Sequence, residues 1–299
     1  MNELLGGRRL AELLERHEVR PKKSLGQNFV IDPNTIRKVI AIAGLSPEAH
    51  VLEIGPGAGS LTLALAQAAA RVTAVEIDAR LIPVLHEVLQ GLDGVDIVQG
   101  DAMLMDPGSF GASHLVGNLP YNIAVPIVMH VLQQAPSIQE LTVMTQSEVG
   151  ERLAASPGSK VYGQASVMTQ FYGATSVAAR VSRRAFHPIP NVDSVLVRIS
   201  RRSAPLPVDP VAMSTVVRGA FSQRRKTMRN ALASALGGIA AAEALIRSAG
   251  LDVASRAEEI PLDGFVSLAQ AYGGHPASAG PPGRVEDTNL KGSSPDAVR

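Results

Sequence analysis

A glycine-rich turn between an apolar run and a helical pattern constrains the fold of this chain more than any other segment. Residues 51–55 predict a short buried strand, and residues 60–66 predict the helix that follows it. The turn between them, Gly55-Pro56-Gly57-Ala58-Gly59, is rich in glycine, which lets a backbone approach a ligand closely. Its G-x-G-x-G pattern differs from the G-x-G-x-x-G of NAD-binding proteins, so it gives less support to a pyrophosphate site.

Two acidic residues follow at the ends of the next two predicted strands. Residues 71–78 form one strand, and Glu76 near its end lies 21 residues after Gly55 (76 − 55). At this spacing an acid reaches ribose hydroxyls in dinucleotide-type folds. Residues 96–100 form the next strand and are followed by Asp101, which is suited to bind an adenine amino group. Taken singly, Glu76 also fits a solvated strand end and Asp101 a helix cap.

The segment Asn118-Leu119-Pro120-Tyr121 follows another apolar run and suggests a chemistry. The exocyclic nitrogen of adenine is a poor nucleophile because its lone pair is delocalised into the ring. The side-chain oxygen of Asn118 and a backbone carbonyl beside Pro120 can accept its two N–H bonds and turn the lone pair toward an electrophile. Pro120 stiffens the corner, and Tyr121 offers a ring on which a base can stack. The alternative is an ordinary strand-to-helix turn.

These segments together resemble S-adenosylmethionine-dependent methyltransferases. More closely, the chain resembles the ribosomal RNA small-subunit adenine N6,N6-dimethyltransferase family of the kasugamycin-sensitivity type. The similarity extends from about Lys22 to Tyr272. The motifs that carry it are KKSLGQNF (22–29), EIGPGAGSLT (53–62), Glu76, Gly100-Asp101-Ala102, NLPYNI (118–123), KVYG (160–163), FHPIPNVDS (186–194) and FSQRRKTMRN (221–230).

The resemblance implies a function. It implies dimethylation of the N6 amino groups of two adjacent adenines near the 3′ end of 16S rRNA in the pre-30S small ribosomal subunit, with a role in ribosome biogenesis. It also implies S-adenosylmethionine as the cofactor. The cofactor-binding residues that it implies are Asn28, Val30, Gly55, Glu76, Asp101 and Asn118. The catalytic residues are Asn118, Leu119, Pro120, Tyr121 and Phe186, where Phe186 supplies a second aromatic wall unless it packs in the core.

Three other functions share parts of this pattern. A 23S rRNA adenine dimethyltransferase of the macrolide-resistance type has the same core, although the motifs at 22–29 and 221–230 favour the small-subunit type. A DNA adenine methyltransferase usually carries a second proline in the Asn-Pro corner and a separate target-reading domain. The third alternative is a non-catalytic ribosome-assembly factor that keeps the fold and binds RNA. The presence of Glu76, Asp101, Asn118 and Tyr121 argues for catalysis without excluding an added assembly role.

The order of the predicted elements suggests four parts. Residues 1–35 form an N-terminal arm. Residues 36–202 alternate strands and helices and predict an α/β catalytic domain with a Rossmann-like, mostly parallel sheet, whose ligands bind at the carboxyl ends of the strands. Residues 203–272 begin with a linker and then carry helical patterns only, over 210–236, 240–249 and 262–272, which predicts a small all-α RNA-binding domain. Residues 273–299 are rich in Gly, Pro and Ser, so we expect a disordered tail.

The charge is unevenly distributed, although the net charge is only +1. Between Pro210 and Ala242 the basic residues have no acid among them, and such runs match contact with RNA phosphates. The alternative is a solvated helix face. The residues predicted to contact RNA on this helix are Arg224, Arg225, Lys226 and Arg229.

The composition excludes several other classes. The chain has no cysteine, which excludes disulfides, zinc–thiolate sites and a cysteine nucleophile. No apolar stretch approaches the roughly 18 residues of a membrane span, and the N-terminus lacks the apolar core of a signal peptide. We therefore expect a soluble, cytoplasmic monomer without a metal.

Overall fold

The computed structural model describes residues 4–22 and 25–273. The strands in these ranges are β1 (Phe29–Val30), β2 (His50–Ile54), β3 (Arg71–Glu76), β4 (Val95–Gln99), β5 (His114–Asn118), β6 (Glu140–Gln146), β7 (Gly173–Val181), β8 (Phe186–His187) and β9 (Ser194–Arg201). The helices are α1 (Gly7–Arg16), α2 (Pro33–Ala43), α3 (Ser60–Ala68), α4 (Ile82–Val88), α5 (Ala124–Gln134), α6 (Ser147–Leu153), α7 (Gln164–Tyr172), α8 (Pro210–Ala220), α9 (Met228–Leu236), α10 (Ile239–Ser248) and α11 (Leu262–Gly273).

One seven-stranded sheet organises the fold, with the strand order β4-β3-β2-β5-β6-β9-β7. The first five strands in this order are parallel, and β9 and β7 complete the sheet with antiparallel pairing. Helices cover both faces, which explains why the central strands are almost continuously apolar. Leu52 and Ile54 of β2 face the layer that contains α5, whereas Val51 faces α2 and α3. The expected α/β class with a mostly parallel sheet is confirmed.

The N-terminal arm packs over one end of this sheet. Leu10, Leu13 and Leu14 of α1 are buried against residues of α4. The arm is also fixed by β1, which pairs with β8 in antiparallel register, so that Phe29 lies opposite His187 and Val30 opposite Phe186. This pairing holds residues 25–30 beside the carboxyl ends of β2 and β5.

The helices after residue 202 share their core with α7 and with the segment before it. Tyr162 is fully buried among them, and its hydroxyl donates a hydrogen bond to the carbonyl of Ile260 at 3.0 Å. The expected continuous helical pattern over 210–236 is wrong, because α8 ends at Ala220 and α9 begins at Met228. Phe221 turns inward between them and stacks on Phe265 at 5.7 Å between ring centroids. The basic residues 224–226 therefore lie in a turn.

Some expectations fall outside the described residues. Lys23 and Ser24 of the motif at 22–29, and the tail from 274 onward, are among them. Within the described ranges no single helix is long and apolar enough to cross a membrane, although α9 and α10 meet that test as a pair bent by 115°.

Candidate functional site

An inner cavity lies at the carboxyl ends of β2, β3 and β5, where the sequence places the glycine turn, Glu76 and Asn118. The empty space of this cavity and its open mouth together is about 620 Å³. Residues of the arm close one side. The lining residues include Asn28, Phe29, Val30, Glu53, Gly55, Gly57, Ser60, Glu76, Ile77, Asn118 and Pro120.

The glycine turn is held open by backbone conformations that favour glycine. Gly55, Gly57 and Gly59 have φ angles of 74°, 61° and 86°, in the left-handed region. A Cβ atom at Gly57 would lie only 2.8 Å from the ring of Phe29. The turn therefore needs glycine at this position both for its conformation and for the approach of the arm.

Glu76 fixes the turn from the neighbouring strand. Its side chain is buried, Oε2 accepts a hydrogen bond from the backbone N–H of Gly57 at 3.0 Å, and Oε1 accepts one from that of Asp78 at 2.8 Å. Burial raises the pKa of Glu76, and the two backbone donors act in the opposite direction. A carboxylate has about four acceptor positions, so two are left for a ligand in the cavity.

Asn118 ends β5 and connects the sheet to the arm. Its Nδ2 donates to the backbone carbonyl of Asn28 at 2.8 Å. This bond fixes the carboxamide with Oδ1 as the acceptor that is available to a ligand. Leu119 is buried in the core, so what it offers to the site is its backbone carbonyl.

A second space, the outer cleft, continues from the inner cavity on the other side of the arm. Gly26, Gln27 and Asn28 line both, and the outer cleft adds Tyr121, Gln146 and the loop 188–191. The Tyr121 hydroxyl lies 3.2 Å from Oγ of the buried Ser194. Burial raises the pKa of Tyr121, while the contact with Ser194 lowers it. Tyr121 therefore presents a neutral, oriented ring to this cleft at physiological pH.

Phe186 does not form the expected second wall of this cleft. Its side chain is 0% exposed and packs in the core with Val30, Ile36 and Leu196. The physical reason is the β1–β8 pairing, which places Phe186 opposite Val30 and under the arm. Ile189, which is 62% exposed and lies three residues later, faces the outer cleft instead.

Asp101 lies on a small apolar pocket that adjoins the inner cavity. Gly55, Ile77 and Pro120 line both spaces, and Val75 and Ile123 complete the apolar walls. Oδ1 of Asp101 accepts from the backbone N–H of Met103 at 2.9 Å, so this carboxylate also caps a turn. The capping explanation and a ligand-binding one are compatible here, because Asp101 caps the turn through Oδ1 and also lines the pocket.

Sequence reasoning missed two acids beside the inner cavity. Asp78 accepts hydrogen bonds from Arg80 and from Gln27 of the arm, and the Arg80 bonds hold its pKa well below the usual range. Glu53 is 1% exposed and lines the cavity, and its Oε2 has no hydrogen-bond partner among the described residues. Glu53 begins the motif at 53–62, and apart from that its sequence signal is an acid inside an apolar strand.

Two hydroxyl groups of α3 are also buried and, like Oε2 of Glu53, lack a hydrogen-bond partner among the described residues. The Oγ of Ser60 and the Oγ1 of Thr62 are buried without a partner in the described part of the chain. Burying polar atoms without hydrogen bonds is costly, so a cluster of them beside a cavity is typical of a site for a polar ligand. The described residues contain no group of side chains that could hold a metal ion.

The basic run contributes no residue to the lining of either space, and acids outside residues 210–242 balance part of its charge. Arg224 pairs with Glu258 at 3.3 Å, and Arg229 pairs with Glu243 at 3.0 Å. Glu258 lies 34 residues after Arg224, and Glu243 lies 14 residues after Arg229 on the next helix. Arg224 also donates to the backbone carbonyl of Lys160. Arg225 and Lys226 are exposed, and within the described residues their side chains form neither an ion pair nor a hydrogen bond.

Comparisons with known proteins identify relatives over most of the chain. Residues 19–273 match the family described as ribosomal RNA adenine dimethylase. A protein of Corynebacterium efficiens, ribosomal RNA small subunit methyltransferase A, is 45% identical over 281 residues, which are 91% of this chain and 97% of that protein. A Streptomyces coelicolor protein of the same name is 46% identical over 276 residues, or 89% and 96% of the two chains.

Solved structures give a similar result. The crystal structure of the 23S rRNA methyltransferase ErmE matches with a TM-score of 0.65 and 30% identity, covering 82% of this chain and 100% of that one. A dimethyladenosine transferase from Plasmodium falciparum matches with a TM-score of 0.69 and 23% identity over 80% and 95% of the two chains, and this likeness shows the shared fold.

We predict that Gly57→Ala lowers the free energy of unfolding more than Gly91→Ala does. Both glycines have positive φ angles, so both variants lose about 1–2 kcal/mol to backbone strain. Only at Gly57 does the new Cβ meet a neighbour, the Phe29 ring, whereas nothing lies within 4 Å at Gly91. The collision adds about 1–3 kcal/mol. Urea denaturation measures both losses. Equal losses would contradict the close packing of the arm on the turn.

Proposed function

The chain belongs to the ribosomal RNA adenine dimethylase family, and on this premise we propose that it dimethylates the N6 amino groups of two adjacent adenines near the 3′ end of 16S rRNA. The substrate in this proposal is the pre-30S small ribosomal subunit, and the protein acts as a cytoplasmic monomer in ribosome biogenesis. One observation carries the proposal. Asn118 lines the inner cavity, and its carboxamide is oriented by a hydrogen bond from Nδ2 to the backbone carbonyl of Asn28, a residue that lines both the inner cavity and the Tyr121-lined cleft.

S-adenosylmethionine is the cofactor, and it supplies a methyl group on a positively charged sulfur. The inner cavity fits this molecule, because its buried polar atoms without partners require a polar ligand. We assign the ribose hydroxyls to the remaining acceptor positions of Glu76, and the adenine ring to the apolar pocket with Asp101 at its amino group. Asn28 and Val30 of the arm, with Gly55 of the turn, close the cavity around it.

The residues of the Asn118 corner prepare the target amine. Oδ1 of Asn118 and the Leu119 carbonyl accept its two N–H bonds, which keeps the nitrogen lone pair out of conjugation with the ring. Pro120 has no N–H to compete for these acceptors. The ring of Tyr121 stacks on the flipped base, and Ile189 covers the opposite face in place of the buried Phe186. Positioning and fixed hydrogen bonds are thus the protein's contribution to the reaction.

The relatives favour the small-subunit reaction over the alternatives. The named small-subunit methyltransferases are 45% and 46% identical to this chain, whereas the 23S rRNA methyltransferase ErmE is 30% identical. A non-catalytic assembly factor would not need an acceptor at Asn118, an oriented Tyr121 and a fixed Glu76. An additional role in assembly is compatible with all of these features.

The proposed RNA-binding unit 203–272 contains two kinds of basic residue: some are paired with acids, and others are exposed without an acidic partner among the described residues. Arg224 and Arg229 are held by Glu258 and Glu243, so much of their charge is already compensated. Arg224 also fixes the backbone of Lys160 beside the turn 221–227. Arg225 and Lys226 are exposed, and we assign them the phosphate contacts.

We predict that the double variant Arg225→Ala/Lys226→Ala weakens binding to small-subunit RNA and reduces the slope of log K against log salt by about 1.4–1.8, which corresponds to two phosphates. The matched double variant Arg224→Ala/Arg229→Ala should change this slope by less, because its cations are already paired. Filter binding at several salt concentrations measures both. An unchanged slope in the first variant would mean that Arg225 and Lys226 form only a solvated face.

We predict that Asn118→Ala loses methyl transfer by about 10²–10³-fold, or roughly 2.7–4 kcal/mol, because an acceptor at the reacting amine is removed. The measurement is single-turnover transfer to small subunits that lack the modification, with saturating cofactor and mass spectrometry of the digested RNA. The parent should produce N6,N6-dimethyladenosine. Asn118→Asp keeps an acceptor and should retain more activity than Asn118→Ala. Transfer at the parent rate by a folded Asn118→Ala variant would refute the catalytic assignment.

A further inference from the structure

Glu53 is a buried acid in the wall of the inner cavity to which the proposed reaction gives no role. Its side chain is 1% exposed, and Oε2 lacks a partner among the described residues. The Ser60 hydroxyl beside it lines the same cavity and is also without a partner. Glu53 shares a face of the sheet with Glu76 and Asn118. It lies opposite Ala74 of β3 and Val116 of β5, and Glu76 and Asn118 each follow these partners by two residues, so the three side chains point to the same face.

The surroundings of Glu53 keep it neutral in the free protein. Burial raises the pKa of Glu53 to about 8. The contact with the Thr62 side chain of α3 lowers this pKa, and the negative charge of Glu76 on β3 raises it. Among the described residues of the elements that pack against Glu53, no cation faces it. Helix α3 and strand β1 contain no ionisable side chain, His114 lies at the opposite end of β5, and Arg37 and Lys38 of α2 are exposed.

We propose that Glu53 is a specificity-determining residue that releases its proton when the sulfonium cofactor fills the inner cavity, and that it thereby favours the cofactor over the uncharged product. This inference rests on the proposed function. The Glu53 O–H bond breaks, the proton passes to the buffer, and the carboxylate remains opposite a cationic ligand. After the methyl group has left, the sulfur of S-adenosylhomocysteine carries no charge, and Glu53 takes a proton back from solvent.

The direction of the pH dependence follows from these states. The free protein holds the proton below about pH 8, and the complex with cofactor does not. Affinity for S-adenosylmethionine therefore rises with pH, by at most about tenfold per unit, and levels off above about pH 8. Affinity for S-adenosylhomocysteine rises less, because its sulfur is neutral.

Isothermal titration calorimetry tests this directly. Titrations at pH 7 in buffers of different ionisation enthalpy count the protons that are released on binding. The parent should release up to about 0.9 proton more with S-adenosylmethionine than Glu53→Gln does, since a group one unit below its pKa is about nine-tenths protonated. The difference between the two proteins is decisive, because the α-amino group of the cofactor titrates in the same region and contributes equally to both.

Thr62→Val is the matched control. It removes the neighbouring hydroxyl and keeps the carboxyl group, so it should still release more protons on binding S-adenosylmethionine than Glu53→Gln does. Equal release by the parent and Glu53→Gln, with both binding the cofactor, would overturn the proposal and leave the proposed function intact. If the parent did not bind the cofactor, the proposed function itself would fail. If Glu53→Gln does not fold, the parent alone decides, because equal release with S-adenosylmethionine and S-adenosylhomocysteine would also overturn the proposal.

Discussion

The carboxylate of Glu76 is the constraint on which the rest of the site depends. By accepting the N–H groups of Gly57 and Asp78, it joins the end of β3 to the turn that follows β2. The turn is then fixed with its glycines in left-handed conformations, and Phe29 packs against Gly57 where no side chain fits. The arm is held there by β8 and by the bond from Asn118 to Asn28. One buried acid therefore shapes the cavity and also determines where the arm closes it.

The site contains several buried polar groups, and burial of polar groups without hydrogen bonds costs free energy. Glu53, Ser60 and Thr62 have buried atoms without hydrogen bonds in the described part of the chain, and Glu53 and Ser60 line the cavity. Such atoms destabilise the free protein. The same atoms favour a polar, positively charged ligand over the empty cavity, because they gain partners only when it binds. The arrangement thus couples cofactor binding to the stability of the catalytic sheet.

The resemblance to small-subunit adenine dimethyltransferases and the α/β class were predictable from sequence, and both are confirmed. Gly55, Glu76 and Asn118 were correctly expected to meet, because parallel strands bring their carboxyl ends to one edge. The errors arose where distant segments meet. The acids Glu258 and Glu243 that pair with the basic run come from other helices or turns, and Phe186 is buried by pairing with the arm. Local patterns contain no signal for either contact.

The most direct test of this account is calorimetric binding of S-adenosylmethionine to Glu76→Ala, with thermal unfolding measured in parallel. The account predicts a loss of roughly 1.5–3 kcal/mol, about ten- to a hundredfold in affinity, because the charged acceptor for the ribose is removed and the turn is released. Glu87→Ala, which removes a surface acid paired with Arg16 and His17, should bind the cofactor as the parent does. A folded Glu76→Ala variant with unchanged affinity would contradict the central role of this carboxylate.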